Sequence, residues 1–142
     1  MEPRPQPPAY AAGQTVDVPA DWYASAPYTL VLFARASCGA CQQASPFLQQ
    51  LVREMRGKGD VLFASPGLEP ESDREYARTL GVPDDRTRQV PAGLRVRATP
   101  TLVLVDRSGR IHGAWEGVGP ADQQARIQHE IQRTIHAVSS AD

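Results

Sequence analysis

Apolar residues follow two rhythms along this chain. Unbroken runs at Tyr28-Thr29-Leu30-Val31-Leu32-Phe33-Ala34, Val61-Leu62-Phe63-Ala64 and Thr101-Leu102-Val103-Leu104-Val105 read as strands covered on both faces. Between the first two, Leu48, Leu51, Val52 and Met55 recur at helical spacing. They predict a helix from Cys41 to Arg56 that Gly57-Lys58-Gly59-Asp60 ends. A right-handed crossover through that helix makes the first two strands parallel. Ahead of them, Thr15-Val16-Asp17-Val18 alternates like a short strand, and Pro19 with residues 21–27 reads as an irregular loop. Ser72-Asp73-Arg74-Glu75 has capping-box spacing and predicts a short helix through Leu80, closed by Gly81. Residues 82–98 read as loop with a brief strand. Asp106-Arg107-Ser108-Gly109 turns the third run into an antiparallel partner, Arg110 to Trp115. Pro120 suits the first turn of a last helix with Ile127, Ile131, Ile135 and Val138 on one face.

A chain of 142 residues is one domain's worth. Four prolines among the first eight residues predict a flexible tail over 1–13, a domain over 14–139 and a short tail at 140–142. A formal charge of −1 gives no electrostatic reason for a nucleic-acid or anionic-membrane partner. No stretch approaches the roughly 18 apolar residues of a membrane helix, and no charged-then-apolar signal pattern opens the chain. The alternatives are a fragment lacking its export signal or anchor, and a cytosolic protein with a flexible start.

Both cysteines of the chain fall in one motif, Cys38-Gly39-Ala40-Cys41, at a strand-to-helix junction. A helix start stabilises negative charge and biases a cysteine there toward thiolate, so this placement points to dithiol–disulfide exchange. Cys38, before the helix at an exposed lip, is the candidate attacker. Cys41, one turn in, is the candidate resolver, and Gly39 and Ala40 keep the turn between them small. A structural disulfide this narrow constrains the unfolded chain little. A structural zinc site needs about four ligands. There is no second C-x-x-C, and His112, His129 and His136 lack ligand spacing, so no metal is expected. No cofactor is expected beyond the redox-active Cys38–Cys41 pair itself. Pro100 stands directly before the third strand, where a proline cannot donate to the ladder. A cis bond there turns the Thr99 backbone toward the cysteines as a docking edge for extended peptide, and a trans proline that simply starts the strand is the plainer alternative.

The set F-A-R-A-S-C-G-A-C at 33–41, Pro46, and R-A-T-P-T-L-V-L-V-D-R-S-G at 97–109 resembles the thioredoxin superfamily. The resemblance covers roughly residues 28–138. It implies an α/β thioredoxin-like fold, a mixed central sheet flanked by helices on both faces, with Cys38 and Cys41 as redox pair and Thr99-Pro100 as the cis-proline loop. The expected fold carries an N-terminal extension and, from the 62-residue separation of Cys38 from Pro100, a strand–helix insertion before that loop; this insertion with the V-D-R-S-G-R-I hairpin at 105–111 resembles the TlpA-like branch of extracytoplasmic oxidoreductases. Three positions depart from the family pattern. Ser37 stands where a tryptophan usually precedes the first cysteine; it offers a hydroxyl near the thiolate and opens the site, or is a tolerated loop residue. Leu32 and Ala44 occupy the two positions at which thioredoxins and TlpA-like proteins place an acid for the resolver's proton. That proton then falls to water or to a carboxylate from elsewhere, Glu69 or Glu71 among them. Arg35 and Arg97 lie close to the motifs in sequence, where a cation makes a pair more oxidising, although solvated arginines are the plainer reading.

The resulting expectation is an enzyme exchanging electrons with protein disulfide or dithiol clients, as a reductant, served by a separate thiol electron donor or acceptor. The resemblance implies an extracytoplasmic setting (periplasm or cell surface), the cytoplasm being the alternative. A disulfide oxidase or isomerase is the nearer rival, since Gly39-Ala40 matches neither usual pairing. A Cu(I)-binding module is a different class; two thiolates suit a soft ion, but no methionine or histidine in the motif completes the site. The P-x-x-x-T-x-x-C arrangement of a peroxidase is absent around Cys38.

Overall fold

The computed structural model describes residues 8–67 and 69–139. β1 (Tyr28–Phe33), α1 (Gly39–Met55) and β2 (Asp60–Ser65) form the expected crossover unit, with the strands parallel from Thr29↔Asp60 to Phe33↔Ala64. α2 (Pro70–Leu80), a 3₁₀ turn (Asp84–Arg86) and β3 (Thr87–Gln89) follow. β4 (Thr101–Asp106) and β5 (Ile111–Glu116) form the hairpin, and α3 (Ala121–Ser139) packs last. The five-stranded sheet runs β3-β2-β1-β4-β5 and is mixed, because β1 is parallel to β2 and antiparallel to β4.

Side-chain alternation divides the core. Leu30, Leu32, Phe63, Leu102 and Leu104 face α1, α2 and α3, whose Leu48, Leu51, Tyr76, Leu80, Ile127, Ile131 and Ile135 complete one cluster. Burying each large aliphatic chain contributes roughly 2 kcal/mol. Val31, Phe33, Leu62, Ala64, Val103 and Val105 point the other way. That second face is closed by Tyr10, Val16, Val18, Trp22 and Tyr23, with Leu94 and Val96 at its margin. The expected helical layers are therefore unequal: three α-helices cover one face, and a 3₁₀ helix (Ala20–Trp22) with extended chain covers the other.

Three sequence expectations need correction. The proline-rich tail does not extend to residue 13. Tyr10 is 2% exposed, stacks on Phe33 at 5.7 Å, donates to Asp17 at 2.8 Å and lies under the Arg95 guanidinium. The Gly13 N–H bonds the Ile111 carbonyl at 2.8 Å. Thr15–Val18 is not a strand but a single bridge, Thr15↔Arg110, flanked by bonds to Gly109 and Ile111. Ser72 does not start α2: Glu69 is its N-cap and Pro70, pre-set to helical φ, begins it a turn's fraction earlier. Gly81 closes α2 as expected, at φ +96°. The expected tails at 1–7 and 140–142 and the side chain of Val138 lie outside the described residues.

Because the ring of Tyr10 fills the second face, Tyr10→Ala is expected to lower unfolding free energy by about 3 kcal/mol in urea titration. A loss under about 1 kcal/mol, typical of a surface substitution, would show that this segment is not docked in solution.

Candidate functional site

The site follows from the sheet order. Phe33 at the end of β1 pairs with Thr101 at the start of β4, so the loop leaving β1 and the loop entering β4 meet at one edge. The first loop delivers Cys38 to the N-cap of α1, with extended φ −88° and ψ 114°. Its sulfur accepts the Cys41 N–H at 3.1 Å, the bond a serine or aspartate cap makes. The negative charge of a thiolate therefore lies on the positive end of α1. Pro46 sits inside α1 and removes one amide from its ladder.

From the second loop, the Thr99–Pro100 peptide bond is cis. The Thr99 carbonyl accepts the Cys38 thiol at 3.4 Å. Pro100 is buried, its carbonyl holding the Gly117 N–H at 2.7 Å, and the Thr101 hydroxyl donates to Ala98 at 2.8 Å. The expected exposed lip is thereby narrowed: Cys38 is 8% exposed, with the Thr99 backbone against its sulfur, and Cys41 is fully buried.

The two thiols have opposite chemistry. Burial pushes Cys38 up, but hydrogen bonds with the Cys41 thiol, the Thr99 side chain and the N–H groups of Cys41 and Ala40 outweigh it, leaving Cys38 below an ordinary cysteine. Burial, then the hydrogen bond to Cys38, pushes Cys41 up to about 12. The pair thus sets a thiol that ionises more readily than an ordinary cysteine above one that is held protonated.

Below Cys41, α2 supplies a polar floor that the sequence reading did not place. The Tyr76 hydroxyl donates to the Cys41 carbonyl at 2.8 Å and lies 2.8 Å from the Ser45 hydroxyl. Asp73 is 2% exposed and accepts the Ala36 N–H at 2.7 Å and the Ser65 hydroxyl. Glu69 and Glu71, the acids considered from sequence, are exposed. A signal for Asp73 existed: it shares the buried stripe of α2 with Tyr76, Ala77 and Leu80, an acid where an apolar residue belongs.

The remaining candidates surround the pair, the Ala40 N–H reaching the Cys38 sulfur. Ser37, Gly39 and Ala40 are exposed, and a Cβ at Gly39 would meet nothing, so glycine there leaves the approach to Cys38 bare. The Arg97 guanidinium pairs with Glu116 at 3.1 Å. Arg35 and Arg97 border a shallow depression beside Thr99. On the other side of Thr99 a groove of about 530 Å³ runs between Ala40, Gln43 and Ala44 of α1 and the β5–α3 loop at Gly117, Val118 and Gly119. That loop was not anticipated from sequence.

Residues 24–132 match the thioredoxin-like domain family. The chain belongs to that family. Over 87 residues it is 34% identical to the nucleoredoxin 1 named in Arabidopsis thaliana; the match takes in 56% of this chain but spans only 15% of that relative's length. A candidate thioredoxin from Neisseria meningitidis superposes with TM-score 0.63 at 25% identity, covering 87% of this chain and 82% of that one. A thiol:disulfide interchange protein from Chlorobium tepidum shares the fold with TM-score 0.59 at 19% identity, over 95% and 99% of the two chains. The fold and the Cys38–Cys41 pair of this thioredoxin-like domain are those of thiol–disulfide oxidoreductases.

The opposite shifts of the two thiols set a pH profile. Iodoacetamide is expected to label the reduced protein at Cys38 alone, with reactivity rising through a midpoint below the ~8.5 of a free cysteine. Cys41, held protonated, stays unlabelled through pH 9 by peptide mapping. Equal labelling of both cysteines would contradict this geometry.

Proposed function

We propose that this thioredoxin-like domain reduces disulfides of protein clients outside the cytoplasm, in the manner of the TlpA-like branch. The observation that carries the reading is the unequal thiol pair, with a lowered Cys38 and a Cys41 raised to about 12, set beside the cis Thr99–Pro100 edge. The Cys38 thiolate attacks one sulfur of a client disulfide. That bond breaks, a mixed disulfide forms, and the departing client thiolate takes up a proton. Cys41 then gives up its proton and attacks the Cys38 sulfur. The Cys38–Cys41 bond forms, the mixed disulfide breaks, and the client leaves with two electrons and two protons gained.

Thr99 and Pro100 present the backbone on which an extended client segment pairs, and the groove between α1 and the β5–α3 loop takes its flanking residues. The groups that lower Cys38 are neutral hydrogen-bonding partners. These stabilise a thiolate less than a cation does, which supports a reducing direction. Arg97 is engaged with Glu116, so its role in tuning the pair is indirect. The TlpA-like hairpin sequence supports an extracytoplasmic setting. Among the described residues no helix is long and apolar enough to cross a membrane. A separate thiol donor then returns electrons to the oxidised pair.

Two measurements test this reading. Cys41→Ser should accumulate mixed disulfides with clients through Cys38, while Cys38→Ser should accumulate none; loss of bound copper without any trapped protein would favour the metal-carrier alternative. Equilibration in thiol buffers should give a potential near or below about −270 mV, and a value between about −120 and −180 mV would reassign the protein as an oxidase or isomerase.

A further inference from the structure

Among the described residues, Asp73 is the one carboxylate buried in the protein interior. A buried carboxylate is costly unless hydrogen bonds or a cation compensate it. Here the compensation comes from neutral donors, the Ser65 hydroxyl and the Ala36 N–H, and from the first turn of α2, whose positive end favours an acid. A Cβ at Gly67 would sit 3.0 Å from the Asp73 Oδ2 and 3.5 Å from the Arg35 Cδ, so bare backbone packs against the acid here. A carboxylate kept in such a place is doing something other than filling space.

What it holds is the turn that carries the attacking cysteine. Ala36 lies two residues before Cys38. On one side of it, the Arg35 carbonyl accepts the Cys38 N–H at 3.2 Å, closing the turn. The Asp73 bond to Ala36 therefore fixes the peptide whose carbonyl holds the Cys38 N–H. One turn along α2, Tyr76 holds the Cys41 carbonyl. Tyr76 and Arg35 are the other titratable side chains that border this floor, from α2 and from the loop.

We propose that Asp73 is a positioning residue for the exchange reaction, anchoring the Arg35–Cys38 turn and holding a negative charge beneath the thiol pair that biases it toward the reducing side. This rests on the exchange function above. A like charge near a thiolate raises the energy of the reduced, ionised form relative to the disulfide, so it makes the dithiol the better electron donor. The aspartate does not touch client or sulfur; it acts through the Ala36 amide and through its field.

Asp73→Asn isolates the charge. The amide oxygen still accepts the Ala36 N–H, and the Ser65 hydroxyl rotates to accept from the new NH₂ group, so the turn keeps its anchor. The expected result is a Cys38 alkylation profile moved to lower pH and an equilibrium constant with glutathione shifted about three- to tenfold toward the dithiol, a tenfold change being about 30 mV. Where the asparagine variant fails to fold, Asp73→Ser, which keeps a hydroxyl acceptor, gives the same two readouts. An unchanged alkylation profile and potential, with or without a loss of thermal stability, would overturn the proposal and leave Asp73 a purely structural group. If the unsubstituted protein itself fails to equilibrate with glutathione, the exchange reading fails instead.

Discussion

The site depends on one hydrogen bond, from the Cys41 N–H to the Cys38 sulfur. It makes a cysteine the cap of α1, so the group that ends the helix is the group that reacts. Capping aligns the sulfur with the helix dipole, and the 3.1 Å contact fixes how far Cys41 stands from it. Everything else in the neighbourhood keeps that cap in place. The β1–β4 register brings Thr99 to within 3.4 Å of the same sulfur, and the Pro100 carbonyl is tied down by Gly117 at the end of β5. The Cys38 sulfur is therefore pinned by the sheet on one side and by a helix on the other, with open space at Gly39 beside it.

The hydrophobic rhythm made most of this architecture legible. β1, β2 and β4 are buried on both faces, and their unbroken apolar runs carry that information directly. α1 and α3 announce themselves through spaced Leu and Ile residues that all turn out to face one cluster. The motif residues were equally readable, because only two cysteines exist and both lie at a helix start. What the pattern could not carry was packing by isolated side chains. Tyr10 sits in a proline-rich stretch with no periodicity, yet its single ring reaches Phe33 and closes the second face. A segment with one anchor leaves no repeating signal.

Asp73 was hidden for a related reason. Ser72-Asp73-Arg74-Glu75 satisfies a local capping rule, and a local rule explains a polar run without reference to tertiary contacts. In the fold, Pro70 has already started the helix, so the acid is freed from capping and turned inward to Ala36 and Ser65. Two short-range preferences competed for the same residues, and the proline won.

The unequal covering of the sheet explains how the Thr99 edge is held. The face with three α-helices is sealed by interlocking apolar side chains, and Glu54 stitches α1 to α3 by accepting amides from Gln128 and Gln132. The other face is closed by the 3₁₀ helix and extended chain, held by point contacts: Arg95 to the Thr15 carbonyl at 3.0 Å, the Ala9 N–H to Glu116 at 2.9 Å. Glu116 also carries Arg97, two residues before Thr99. The N-terminal segment is thus coupled through one carboxylate to the strand end that positions the cis-proline loop. A loop braced on both sides in this way presents the Thr99 backbone in one fixed orientation, and under the proposed exchange function a fixed edge would cost a client less ordering than a loop that must first be arranged.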